Sequence, residues 1–140
     1  MEASLVPVEY IEQVWPSVEK YLDGAAKYTY GRFTVEDIKY NLLTKPQQLW
    51  IAFEDGKVYG AVVSEIINYP RMNALCVHFL GGEKFPKWGK QTLSLVQRFA
   101  RDSNCSIIES SGRIGWEKVW KNEGYTPRFV FYELPVGVEE

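Results

Sequence analysis

The chain of 140 residues carries one histidine, His78, inside the apolar run "ALCVHFL" (74–80). Imidazole is the side chain best suited to exchanging a proton near neutral pH. Two carboxylates join it as candidates for acid–base work. Glu65 lies in "GAVVSEII", where strand alternation puts it on one face with Tyr59, Ala61, Val63 and Ile67. It interrupts that otherwise apolar row. Glu109 closes "CSIIES", with Ser110 and Ser111 offering hydroxyls just beyond. Each also has a plain structural reading: Glu65 at a solvated sheet margin, His78 a hydrogen-bonded strand residue, Glu109 facing water. Between 81 and 90, "GGEKFPKWGK" sets Gly81, Gly82 and Gly89 among Lys84, Lys87 and Lys90. Such a stretch either shapes a turn or lets an anion approach bare backbone amides at the start of a helix.

The elements that must hold these groups follow from periodicity. "YIEQVWPSVEKYL" (10–22) puts Ile11, Val14, Trp15, Val18, Tyr21 and Leu22 at helical spacing. Pro16 is expected to bend this helix or restart it, and Asp23-Gly24 to end it. A second helix opens at Thr34, with Asp37 completing a capping-box-like pair and Val35, Ile38 and Leu42 as its apolar face. "QLWIAFEDGKVYGAVVSEII" is two strands around Asp55-Gly56, a type I′ hairpin signal. The run 74–80 continues the meander as a third strand. A long helix at 88–103, a buried strand at 105–110, a helix within "GRIGWEKVWKNEG" and a last strand "RFVFYEL" (128–134) complete the chain. With "SLVPV" (4–8) as the first strand, this is a mixed α/β (α+β) domain spanning 1–140. Its sheet has about six strands, mostly antiparallel, with helices on both faces. The strand–helix–strand unit over 74–110 is a crossover, so its two strands run parallel.

A chain of this length buries about 70% of its unfolded surface around one core. Five Trp, nine Tyr and seven Phe fill that core or line an aromatic groove. Formal charge is −2 and no Lys/Arg run appears, which argues against a nucleic-acid surface. "MEASLVPVEY" lacks the basic and apolar regions of a secretory signal, and no apolar run reaches the ~20 residues of a membrane span. Cys76 and Cys105 are too few and too far apart for a zinc site or a CxxC pair, so no metal is expected. Both fit reduced, buried thiols in a cytoplasm.

The strand–loop–helix "VHFLGGEKFPKWGKQTLSLVQRFA" and the closing "GWEKVWKNEGY" resemble the GNAT superfamily of N-acetyltransferases over nearly the whole chain. The closer likeness is to short GNAT-like proteins encoded by bacteriophages. These share "QLWIA", "LGG" before the loop and a "GR.GW" opening, matched here by Gly112, Arg113, Gly115 and Trp116.

The resemblance implies acetyl-CoA held between two parallel strands that splay apart, and an amine delivered to its thioester. Backbone amides along 77–81, with Val77, Phe79, Gly81 and Gly82, would receive the pantetheine arm. The family's phosphate pattern, Q/R-x-x-G-x-G/A, falls on Lys84, Lys87 and Gly89, so the middle glycine is a lysine; Lys84, Lys87 and Lys90 add charge. Glu65 or His78 would take the amine's proton. The family's usual acid, a tyrosine, falls on Trp120, whose indole cannot release a proton at useful pH. Ser110 or Ser111 is then the hydroxyl left near the departing sulfur. Two functions follow. One is an N-acetyltransferase acting on a small-molecule or protein amine. The other is a non-catalytic GNAT-fold phage protein that works in virion assembly or binds a host or virion protein. Either would act without nucleic acid or membrane, in the cytoplasm, or in a host cytoplasm or virion if phage-encoded.

Overall fold

The computed structural model describes residues 1–112 and 114–137. In chain order it has β1 (Glu2–Val6), a 3-10 turn (Val8–Tyr10), α1 (Ile11–Ala26) and α2 (Val35–Thr44). There follow β2 (Gln47–Glu54), β3 (Lys57–Asn68), β4 (Asn73–Gly82) and α3 (Phe85–Asp102). The chain goes on to β5 (Ile107–Ser110), a second 3-10 turn (Ile114–Trp116) and α4 (Glu117–Asn122). The sheet order is β1-β2-β3-β4-β5. β1 through β4 pair antiparallel, and β4 with β5 is the parallel pair.

One layer of core lies under α1 and α2, where Ile11, Val18 and Leu22 meet Ile38, Leu42, Leu49 and Val63. The second lies under α3, where Trp88, Val96 and Ala100 meet Trp50, Val62 and Leu75. Helices therefore cover both faces, as the sequence pattern requires. Thr34 forms the expected capping box: its hydroxyl accepts from the Asp37 amide (3.3 Å), and Asp37 accepts from the Thr34 amide (2.9 Å). Asp55 and Gly56 turn the β2–β3 hairpin with positive φ at both positions (50° and 77°), as a type I′ turn demands.

Three expectations are corrected. α1 is not broken at Pro16 or ended at Asp23-Gly24; it runs through both to Ala26. Pro16 faces solvent, and the buried residues on either side of it, Trp15 and Val18, hold the helix to the sheet despite one missing hydrogen bond. Among the described residues the sheet has five strands, not six, because 128–134 pairs with none of them. β5 is four residues long and offers a short edge. The segment is tethered instead through Arg32, which pairs with Glu133 (2.7 Å) and lies over the Phe131 ring (5.0 Å to its centre). Tyr59 does not share a face with Ala61 and Val63. β3 carries an extra residue there, with Gly60 opposite Ala52 and Val58 opposite Phe53. Tyr59 therefore packs beneath α3.

No helix among the described residues is long and apolar enough to cross a membrane.

Gly81 fixes how α1 seats on the sheet. A Cβ there would lie 2.3 Å from the Tyr21 carbonyl oxygen, which is helix backbone and cannot rotate away. Gly81→Ala is therefore expected to cost about 1–3 kcal/mol, the range of an overpacked core. A lower urea midpoint at unchanged m-value is the expected signature.

Candidate active site

β4 and β5 stay in register only from Ala74↔Ile107 to Val77↔Ser110. Beyond that rung β5 ends while β4 continues five residues to Gly82. The Ser110 hydroxyl donates to the Val77 carbonyl (3.1 Å) and closes the last rung. Past it the strands part, and a cavity of about 570 Å³ opens. Val77, His78, Phe79, Gly81, Gly82 and Ser110 line it. Opposite them stand Ser111, Gly112, Trp116 and Trp120. The third wall comes from the end of α1 and the chain after it, with Tyr28, Tyr30, Arg32 and Phe33. This aromatic run, "YTYGRF", was readable as a pattern but gave no hint of where it would fold.

A second bulge aims the site's strand. Opposite β3, Val63 pairs with Phe79 and Ser64 with Val77, so His78 is the extra residue. Bulges bend a strand and redirect side chains beside sites of chemistry. Phe79 thereby packs against the α1–α2 layer and meets Phe33 edge-to-face at 5.4 Å. His78 Nε2 lies 2.8 Å from Glu65 Oε1, and the Gln47 amide also donates to that oxygen (3.2 Å). His78 Nδ1 lies 3.5 Å from Cys76 Sγ. Burial, joined by Glu109 and Glu65, pushes the Cys76 thiol up to about 12, so it keeps its proton. The carboxylate then accepts from Nε2–H, and the thiol faces the Nδ1 lone pair. Glu65 itself does not line the cavity and reaches it only through His78.

The other sequence-predicted residues separate. Glu109 accepts from the Tyr69 hydroxyl (2.6 Å) on the rung before the opening, opposite Cys76, and does not line the cavity. Lys84, Lys87, Gly89 and Lys90 do not line the cavity. α3 begins at Phe85, not near 88, so Gly89 sits in its second turn and is buried. A Cβ on Gly89 would meet the Phe85 ring at 2.5–2.8 Å, so that ring occupies the space a glycine would leave for a phosphate. Pro86 brings no N–H to the first turn, and the Lys87 amide is bonded to the Lys84 carbonyl (2.9 Å). Phe85, which sequence reasoning passed over, also meets Trp88 and Trp116 edge-to-face at 4.9 and 5.2 Å. Trp88 is buried in the core, its indole donating to the Glu83 carbonyl (2.8 Å), and leaves the cavity open. Arg113, matched in the "GR.GW" opening, lies outside the described residues.

The fold is shared with solved structures. The chain is similar to a probable acetyltransferase, with a TM-score of 0.72 and 16% identity over 99% of this chain and 100% of that one. It is similar to the ribosomal-protein-alanine N-acetyltransferase of Brucella melitensis biovar Abortus 2308, with a TM-score of 0.70 and 14% identity over 96% and 99%. An aminoglycoside acetyltransferase from an uncultured soil metagenomic sample, in complex with sisomicin, matches with a TM-score of 0.70 and 8% identity over 99% and 96%. The chain has a GNAT fold. No protein-family model and no curated protein matches it. Nothing in these similarities points to a bacteriophage.

Within the GNAT fold the closing helix explains its own sequence. Gly124 (φ 92°) sits just past the end of α4; its amide bonds to the Lys121 carbonyl (3.0 Å), and the Tyr125 amide to the Trp120 carbonyl (2.9 Å). This is a Schellman ending, and the Tyr125 and Trp120 rings supply its hydrophobic contact at 4.7 Å. Trp120 is thus both helix-end packing and cavity wall.

Burial also lifts the Tyr125 hydroxyl to about 12, with Glu123 adding to the effect. The folded state keeps both the Cys76 and Tyr125 protons, while the unfolded chain releases them at their ordinary values of 9.0 and 10.0. Their contribution to stability is full below about pH 9 and is lost as pH rises toward about 12. Urea unfolding between pH 8 and 11 is expected to show that decline, smaller in Cys76→Ala. Iodoacetamide at pH 8 should modify Cys105 before Cys76, as read by peptide mass spectrometry.

Proposed function

We propose that the protein is an N-acetyltransferase that moves an acetyl group from acetyl-CoA to an amine. The observation supporting this most directly is the opening of the β4–β5 fork into a cavity at the bulge that presents His78. Among the described residues, strand β4 beyond Val77 has no partner on its β5 side, which suits the amide-bearing arm of the donor along Val77, Phe79, Gly81 and Gly82. For the diphosphate, the space above Gly89 does not fit, because Phe85 fills it. In this reading the charge for the diphosphate comes from Lys84, just before α3, and from Lys87 and Lys90 on its first turns, and Gly89 is a packing residue.

His78 takes the proton from the incoming amine on Nδ1, giving up its 3.5 Å contact with the Cys76 thiol, while Glu65, held by Gln47, keeps Nε2. The nitrogen forms its bond to the acetyl carbon as the carbon–sulfur bond breaks. Ser110, at the fork, is the hydroxyl assigned to relaying a proton to the departing thiolate, taking one from solvent water as it hands over its own, since Trp120 cannot supply one.

A second reading, a GNAT-fold module that binds a partner without catalysis, is favoured by one observation: the Phe85 ring over Gly89. Acetyl-CoA separates the two. At 100 times its Kd it should stabilise the fold by about 2.7 kcal/mol, seen as a raised Tm. His78→Gln should then lower kcat about 10²–10⁴-fold with little change in the Kd for acetyl-CoA. Exchange of both Lys84 and Lys87 for Ala should weaken that Kd. An unmoved Tm at millimolar acetyl-CoA would leave the binding module standing.

A further inference from the structure

The charge and ring content of the cavity define what amine it can hold. Among the described residues lining it there is no Asp or Glu, while Lys20 and Arg32 are both there. The carboxylates around it are already engaged: Glu83, next to Gly82, pairs with Lys57 (3.2 Å). Glu65 is held by His78 and Gln47 behind the wall, and Glu133 is paired with Arg32. The lining is aromatic instead, with Tyr30, Phe33, Phe79, Trp116, Trp120 and Phe131.

An ammonium entering such a site is attracted to ring faces, and the loss of water favours its neutral form, which is the form that attacks a thioester. One positive charge is thereby both held and discharged. A second or third charge on the same ligand would meet Lys20 and find Glu133 already neutralised by Arg32 and Glu83 by Lys57, and leaving it desolvated and unpaired is costly.

From this we propose that the cavity selects a primary amine borne on an aromatic or apolar body with no further positive charge, and rejects polycations. The assignment deepens the acetyltransferase reading and relies on it for turnover, but not for binding. It also sets this cavity apart from what would suit a polyamine or an aminosugar with several ammonium groups.

The test is a binding comparison on the full chain without acetyl-CoA, using ligand-observed NMR with phenethylamine, spermidine and kanamycin. Phenethylamine should bind, the two polycations at least about tenfold more weakly. Tyr30→Asp is the informative variant. Tyr30 is 80% exposed with φ 54°, a backbone region Asp tolerates, so folding should be unaffected; a circular dichroism melt checks this. It should shift the preference from phenethylamine toward spermidine, because the lost ring face costs the aromatic amine about two- to thirtyfold while the added carboxylate favours the polycation most. Spermidine or kanamycin binding as tightly as phenethylamine would overturn the proposal, and so would phenethylamine failing to bind. Acetyl transfer, followed separately as CoA release, reads the enzymatic assignment. Phenethylamine that binds but is not acetylated, with no Tm rise from acetyl-CoA, would sink that assignment and leave the selectivity standing.

Discussion

A sheet can open only where a hydrogen-bonded ladder stops, and here the stop is forced from two sides. β5 runs out at Ser110, and β4 takes an extra residue at His78 against β3. The extra residue increases local twist, so β4 leaves the plane it shared with β5 in the same step in which its partner ends. Cavity, imidazole and aromatic wall all depend on that coincidence. Phe79 then reaches Phe33 across the opening, and Gly81 lets the α1 backbone close over the strand end. Any residue larger than glycine at 81 pushes against main chain rather than against a side chain that could turn aside.

Much of this architecture was legible because the signals were local. Thr34 with Asp37, Asp55-Gly56, and the crossover from β4 through α3 to β5 each carry their physics within a few residues or one connection. The GNAT resemblance drew on the same stretches. What stayed illegible was register. Alternation assigned Tyr59 to the Glu65 face because it counts residues in twos, and a bulge on β3 breaks the count. The same device at His78 left the histidine's strand and neighbours readable but hid the turn that aims it into the cavity. A bulge depends on the partner strand, so one strand's pattern cannot announce it.

The start of α3 is a different kind of miss. Phe85-Pro86 carried a usable signal, since proline favours the first helical turn. Reading the glycines as loop residues placed the helix start near 88 and so put Gly89 at an anion's position. With the helix begun at Phe85, position 89 falls one turn later on the same face, and Phe85 lies directly over it. Glycine at 89 is then explained by the ring it accommodates. The strand expected at 128–134 failed for want of a template: its residues are β-branched and aromatic enough, but the four-residue β5 gives it little edge to join.

The proton inventory of the site is set by desolvation more than by charge. A half-buried carboxylate such as Glu65 needs donors to remain where it is, and His78 and Gln47 provide them on one oxygen. Cys76, buried behind the ring and facing two carboxylates, retains its proton and so adds no negative charge to the pair. An ionised thiol there would compete with Glu65 for the imidazole and turn it from the cavity. With the thiol neutral, Glu65 alone orients the ring, and His78 is the one member of the chain Gln47–Glu65–His78–Cys76 that lines the cavity. The carboxylate acts at one remove because the apolar wall it stands behind is the same wall that strips water from an entering amine.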